Sequence, residues 1–395
     1  MSILSHVDQA PRDPILGLTE AFKDDTREGK VNLGVGVYSD DNGQVPLLEC
    51  VQKADELLAA GRKPYGYLPI DGLKAYDDAV ADLVFGGDVE RDRIAVVQAL
   101  GGTGALKVTA DFLRRFNPEA KVLISDPSWE NHRALFTRAG FEVESYPYYD
   151  AEAKGINFDG MVAALGEAAE GTIVVLHACC HNPTGYDITA EQWDQVIEVV
   201  KSRNLVPILD MAYQGFAEGL ESDGAAVRKF AKAGITSFVT TSFSKTFSLY
   251  GERIGALSVV CADAEEAKRV LSQLKIVVRT NYSNPPTHGA QVVSTVLADP
   301  ELRALWESEL GAMRDRIKKM RQELHDGLKT ANPELVVDHI VVQNGMFSYS
   351  GLTAEQMQKL REEYAVYGLD SGRICVAALN SKNLPKVIEA IAAVS

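Results

Sequence analysis

Four stretches of the chain place polar residues of catalytic type where apolar runs end. "QALGGTGALK" (98–107) closes one such run and opens a helical pattern, so Gly101, Gly102 and Thr103 could offer backbone N–H groups and a hydroxyl to a phosphate at a helix N-terminus. It is neither a Walker motif nor a complete dinucleotide fingerprint, and alone it reads equally well as an ordinary glycine-rich turn. "HACCHNPTG" (177–185) sets His177, Cys179 and His181 at alternating positions that invite a metal. No second ligand pair stands at zinc-site spacing, however, and buried cysteines in an apolar strand are the commoner arrangement. Its Asn182 is held extended by Pro183, which leaves the amide free to project. "LDMAYQGF" (209–216) delivers Asp210 to a strand end with Tyr213 three residues on; a helix N-cap is the simpler use of that aspartate. "TTSFSKTFSLYGERIGA" (240–256) surrounds one amine, Lys245, with hydroxyls and sets Arg253 eight residues later. A run so poor in other charges, directly after an apolar strand, points to a partly enclosed amine rather than a solvated surface lysine.

Seven short runs rich in Val and Ile must carry these groups: "RIAVVQAL", "KVLISDP", "FEVESYPY", "TIVVLHAC", "LVPILDMA", "SFVTTSF" and "IGALSVVC". Helix-like stretches at 102–116, 128–139 and 189–203 lie between several of them. That alternation predicts an α/β domain whose mostly parallel sheet is covered on both faces. The step from "SFVTTSF" to "IGALSVVC" is too short for a helical crossover, so these two strands are expected to run antiparallel. Beyond residue 288 the pattern changes to one long helix in "ADPELRALWESELGAMRDRIKKMRQELHDGLK", with Asp299 as N-cap and Pro300 at the first helical position. Shorter pieces follow ("GMFSYSGL", "AEQMQKLREEY", "RICVAALN") and suggest a smaller α+β domain that also recruits the N-terminal arm.

Composition narrows the function classes. With 395 residues and 46% hydrophobic content the chain can bury a large core. Its formal charge of −15 disfavours nucleic acid, which is gripped by clustered Lys and Arg. No stretch approaches the roughly 18 apolar residues of a membrane span, and the N-terminus lacks the pattern of a signal peptide; a cytoplasmic location is expected. The five cysteines (Cys50, Cys179, Cys180, Cys261, Cys375) make no disulfide framework and read as reduced thiols. No metal is expected: neither an HExxH nor a GxSxG stretch occurs.

A phosphate cradle, an acid, a phenol, an amide and an enclosed amine at successive strand ends are together what pyridoxal phosphate requires. Along nearly its whole length the sequence also resembles the class I, fold-type I aminotransferases of the aspartate and aromatic amino acid subgroup. The resemblance rests on "NLGVGVY", "YGYLPIDG", "GGTGAL", "SDPSWENH", "HNPTG", "DMAYQGF", "SFSKTFSLYGERIGA", "NYSNPP", "NGMFSYSGL" and "SGRICVA", in the family's order. It implies an α/β large domain with a mostly parallel seven-stranded sheet between helices, and a smaller α+β domain built from both chain ends. The implied division is 1–45 (N-terminal arm and part of the small domain), 46–309 (large cofactor-binding domain) and 310–395 (small C-terminal domain).

The resemblance also assigns roles. Lys245 is the residue that forms a Schiff base with the cofactor aldehyde and then, released, moves the proton from the substrate Cα. Asp210 is the acid beside the pyridine nitrogen, with His132 behind it. Tyr213 and Asn182 hydrogen-bond the cofactor's phenolate oxygen, and Trp129, otherwise a core residue by type, stacks on the ring. Ser242, Ser244, Arg253 and the turn Gly101–Gly102–Thr103 grip the phosphate. Arg373 takes the substrate α-carboxylate, and Gly36 lies in a segment that closes over the substrate. Arg279, for a distal carboxylate, and Tyr65, for the phosphate, would come from the neighbouring subunit of a homodimer.

"SKTFSLYGER" and "GRICVAALN" are more similar to the aromatic branch than to the aspartate branch, which typically reads "SKNFGLYNER" and "GRVNVAG". The implied reaction is transamination of tyrosine and phenylalanine with 2-oxoglutarate, ping-pong through pyridoxamine phosphate. Aspartate aminotransferase is the alternative, with dual specificity open. A lyase or decarboxylase on the same cofactor is disfavoured by the two carboxylate-binding arginines, and a DNA-binding regulator by the brevity of residues 1–30.

Overall fold

The computed structural model describes residues 2–10, 14–61, 64 and 66–395. The seven apolar runs become strands of one sheet: β1 (Ile94–Leu100), β2 (Lys121–Asp126), β3 (Glu142–Pro147), β4 (Ile173–His177), β5 (Val206–Met211), β6 (Ser237–Ser242) and β7 (Ile254–Val260). Their order is β1-β7-β6-β5-β4-β2-β3. Alternate side chains enter separate apolar clusters, Val174 and Leu176 of β4 on one side, Ile173 and Val175 on the other. Both faces of the inner strands are therefore buried, which is why their runs are largely apolar, whereas the edge strand β3, with Glu142, Glu144 and Ser145 exposed, is not.

All neighbours run parallel except β7, which is antiparallel to both β6 and β1, as its short connection requires. This reversal builds the site. The other strands bring their C-terminal ends to one edge of the sheet, and β7 brings its N-terminal end there, so Arg253 arrives beside Gly101, the neighbours of the paired residues Ile254 and Leu100.

Helix α1 (Gly101–Phe116) starts on the residue after β1, with Gly101 at φ +69 making the turn. Helix α2 (Glu130–Arg138) follows β2, and α3 (Ala264–Asn281) follows β7. The long helix α4 (Pro300–Ala331) opens as expected, the Asp299 carboxylate accepting the N–H groups of Glu301 and Leu302. The expected boundary at residue 310 falls inside this continuous helix. Segments near the two chain ends share small sheets: Val31–Asn32 lies parallel to Val366–Tyr367, while Phe347–Tyr349 pairs antiparallel with Arg373–Cys375.

Gly255 in β7 is the tightest point beneath the site. A Cβ there would lie 2.6 Å from both the Gly101 carbonyl carbon and the Thr241 oxygen, backbone atoms with nowhere to move. Gly255→Ala is expected to cost about 2 kcal/mol of stability, measured by denaturant unfolding, because the first turn of α1 must lift off the sheet.

Candidate active site

The strand ends enclose a cavity of about 220 Å³ lined by Gly36, Gly102, Thr103, Trp129, Asn182, Asp210, Tyr213, Ser242, Ser244, Lys245, Arg253 and Arg373, among others. Motifs scattered over more than 330 residues of sequence thus meet in one space. Gly101 sits at its edge, close enough to the Arg253 guanidinium that a Cβ would approach it to 2.7 Å. Tyr65 lies outside the described residues. Arg279 is exposed near the end of α3, where it donates to Ser283 Oγ, and is not among the residues lining this cavity.

One end of the cavity is built for a dianion. Arg253 donates Nη1 to the Tyr250 carbonyl (3.0 Å) and the Ser244 hydroxyl (3.4 Å), so its bonds go to neutral acceptors. The first-turn N–H groups of α1 lie alongside, with the hydroxyls of Thr103, Ser242 and Ser244. Glycine at 101 and 102 is needed for this closeness, since a Cβ on Gly102 would also press on Ser242 at 3.2 Å.

At the other end Asp210 is fixed from two sides. His132 Nε2 lies 3.0 Å from Oδ2, and Thr240 donates to Oδ1 at 3.0 Å. Burial pushes the carboxyl up, but these hydrogen bonds, that from His132 above all, outweigh it and hold the group below the usual aspartate range. Asp210 is an acceptor, then, and not the helix N-cap that its position also allowed.

The hydrogen bonds behind it have one consistent direction. The Asn182 N–H donates to His177 Nδ1 (3.0 Å), which puts the His177 proton on Nε2, facing Ser128 Oγ at 3.4 Å. Ser128 Oγ is 2.9 Å from His132 Nδ1, leaving His132 Nε2 to donate to Asp210. Burial, first, and the nearby imidazoles keep His177 well below its ordinary range, hence neutral. Sequence reasoning missed Ser128 and Thr240 and weighed His177 only as a metal ligand. Strand register was the available signal, because His177, Asp210 and Thr240 lie in one row across β4, β5 and β6.

Of that stretch's other members, His181 stacks on His177 at 4.2 Å and bonds Ser125 and Thr184. The Cys179 and Cys180 thiols lie near Asp223, whose carboxylate already accepts the N–H groups of Gly215, Ala217, Glu218 and Gly219.

Between the two ends stands Lys245, its Nζ 5.0 Å from the Tyr213 ring centroid. Burial lowers its amine to about 8, assisted by Arg253 and Arg373 and opposed by Asp210. A neutral amine is the nucleophilic form, and half the population carries it near that pH. Burial raises the Tyr213 phenol, which therefore stays a donor. In cofactor-free protein, acetylation of Lys245 followed by mass spectrometry should rise with pH with a midpoint near 8 and level off above it; a midpoint near 10.5, as for a surface lysine, contradicts this environment.

Arg373 closes the remaining wall, 1% exposed. It donates Nη1 to Asn182 Oδ1 (3.2 Å) and Nη2 to the Gly34 carbonyl (2.8 Å), while its Nε has no partner among the described residues. The Phe347 ring lies 4.3 Å from its Cζ and also against Gly36, where a Cβ would come within 2.6 Å of the ring. A buried guanidinium with a free N–H at a cavity wall is a carboxylate receptor by chemistry. Trp129, half-buried, meets His132 edge-on at 5.3 Å. Dianion cradle, nucleophilic amine, held carboxylate and flat aromatic wall together fit a planar aromatic aldehyde bearing a phosphate ester.

Residues 28–391 match the family model described as aminotransferase class I and II. The chain is 56% identical to an aspartate aminotransferase of Pseudomonas aeruginosa, with 99% of each covered. It is 53% identical to an aromatic-amino-acid aminotransferase of Escherichia coli, covering 98% of this chain and 99% of that one. Among solved structures, an aromatic-amino-acid aminotransferase from Burkholderia pseudomallei covalently bound to pyridoxal phosphate superposes with a TM-score of 0.98 at 62% identity, both chains fully covered. The chain therefore belongs to the class I and II aminotransferase family.

Proposed function

We propose that this protein exchanges amino groups between aromatic amino acids (tyrosine and phenylalanine) and 2-oxoglutarate, using pyridoxal phosphate in the cavity, with aspartate as a further substrate. The observation that carries this reading is the meeting, in one cavity, of a lowered lysine amine, an ionised buried aspartate and a guanidinium-lined cradle. When bound, pyridoxal phosphate supplies an aldehyde for the amino group and a ring that draws electrons from the substrate α-carbon.

The chain supplies the rest. Lys245 Nζ would take the proton from the substrate Cα and deliver it to the carbon that was the cofactor's aldehyde. Asp210, kept ionised by His132 and Thr240, holds a proton on the ring nitrogen. Tyr213 and Asn182 donate toward the ring's oxygen, Trp129 covers its face, and Gly101, Gly102, Thr103, Ser242, Ser244 and Arg253 hold the phosphate. Arg373 orients the α-carboxylate, and Gly36 marks the segment lying over it. The active unit in this reading is a cytoplasmic homodimer in which the partner subunit's Tyr65 and Arg279 complete the site; the division 1–45, 46–309 and 310–395 belongs to the same proposal. No helix among the described residues is long and apolar enough to cross a membrane.

Support for aromatic substrates comes from the apolar members of the cavity wall, Ile15, Leu106 and Phe347, beside the polar ones. The relative named for aspartate, at 56% identity, supports the second reading, an enzyme chiefly for aspartate. Steady-state kcat/KM for phenylalanine, tyrosine and aspartate with 2-oxoglutarate decides between them. Both aromatics should be turned over at least as efficiently as aspartate; a strong preference for aspartate over both reverses the choice.

A further inference from the structure

Arg321 is a buried cation that does not line the cavity. It is 2% exposed on the apolar stripe of α4, beside Ile317, Leu324 and Leu328. Its guanidinium donates to four carbonyls of one segment that runs from the short helix His339–Val342 to the strand Phe347–Tyr349: Ile340 (3.2 Å), Asn344 (3.3 Å), Gly345 (2.8 Å) and Phe347. Burying an arginine is costly unless its donors are used, and an apolar side chain here would leave those carbonyls unpaired.

That segment's other side is pressed onto the turn that carries Asn182. Gly345, at φ +76, sits where a Cβ would come 2.6 Å from the Cys180 Cβ; Gly185, at φ +74, sits where one would come 2.9 Å from both the Gln343 Cβ and the Phe347 oxygen. One glycine in each segment thus lets the two backbones touch. Asn344 ties them, its N–H donating to the Gly185 carbonyl (2.6 Å) and its Nδ2 to Asp187 (3.2 Å). The same Asp187 carboxylate accepts the N–H groups of Cys180 (2.9 Å) and His181 (3.0 Å). Both ends of this stack touch Arg373, Asn182 through its Oδ1 and Phe347 through its ring.

We propose that Arg321 and Asp187, joined through Asn344, are positioning residues for the substrate carboxylate: they clamp the 180–187 turn onto the 340–347 segment and so fix the two groups that aim the Arg373 fork. This rests on the reading of Arg373 as the α-carboxylate receptor. An α-carboxylate is common to every substrate, so loosening the clamp should weaken aromatic and dicarboxylic ligands by the same factor. The phosphate grip should be spared, because its residues stand at the ends of β1, β6 and β7; Asn182 is the one cofactor contact carried on the clamped turn.

The experiment uses cofactor-loaded protein, with Arg321→Met, Asp187→Asn, the conservative Arg321→Lys, and Arg373→Leu as the control on the underlying reading. Calorimetric Kd values for 3-phenylpropionate and succinate are compared with KM and kcat for phenylalanine and aspartate. Arg321→Met and Asp187→Asn should each raise both Kd values and both KM values about tenfold or more, with a smaller fall in kcat. Arg321→Lys should recover part of the loss. Unchanged Kd and KM with kcat and folded yield falling together, or weakening confined to one ligand class, overturns the clamp. If Arg321→Met does not fold, Asp187→Asn, which keeps the side-chain shape, decides on the same criteria. Undiminished binding of both acids by Arg373→Leu removes the underlying reading and the clamp with it, whereas loss there with unaltered clamp variants removes the clamp alone.

Discussion

Lys245→Ala is expected to lower the transamination rate by roughly 10⁴-fold or more while leaving a folded protein that still takes up pyridoxal phosphate. The environment of the amine makes the loss this large. Burial lowers Lys245 to about 8, so near neutral pH a useful fraction is neutral and able both to join an aldehyde and to accept a proton. Alanine can do neither, and among the described residues none of the other groups lining the cavity offers a second amine. The cradle of Arg253, Ser242, Ser244 and the α1 N-terminus is untouched by the change, and removing a buried amine relieves its desolvation. The loaded variant should therefore lack the near-visible absorbance of a lysine-linked cofactor. Retention of that absorbance, or of more than a small part of the rate, would contradict the role given to this residue.

The second large effect is expected at Asp210. Asp210→Asn keeps the shape but removes the charge that would hold a proton on the ring nitrogen, and kcat should fall by about 10²–10³-fold with KM changed much less. Its hydrogen bonds sharpen the expectation. His132 Nε2 and Thr240 Oγ1 both donate to the carboxylate, so an asparagine must aim its NH₂ at one of two donors. Ser128→Ala, which interrupts the line from His177 to His132, should produce a milder fall in the same parameter. Steady-state kinetics on the three proteins tests the ordering: wild type fastest, Ser128→Ala intermediate, Asp210→Asn slowest.

Much of this site could be read from the chain because Thr103, Asp210, Ser242, Lys245 and Arg253 stand at or near the ends of runs whose apolar character is dictated by burial in the sheet, whereas Gly36 and Arg373 come from outside it. Strand ends are local features, and so is the length of the connection before β7, which made its antiparallel direction legible. The Asp299–Pro300 pair marked the start of α4 for the same reason. Contacts between strands are not local. That His177 lies level with Asp210 and Thr240 depends on register, which no single run encodes. Arg321 shows a different failure: in a helix rich in charge it passes for a solvated residue, although its spacing from Ile317, Leu324 and Leu328 places it on the apolar stripe. A charged residue on that stripe was the available signal.

A crystal structure of the protein loaded with pyridoxal phosphate is the most direct measurement. Lys245 Nζ should be bonded to the aldehyde carbon, the ring nitrogen should lie about 2.7–2.9 Å from the Asp210 carboxylate, and the phosphate should sit between Arg253 and the N-terminus of α1. A ring nitrogen pointing away from Asp210, or a phosphate bound elsewhere, would contradict the account at its centre.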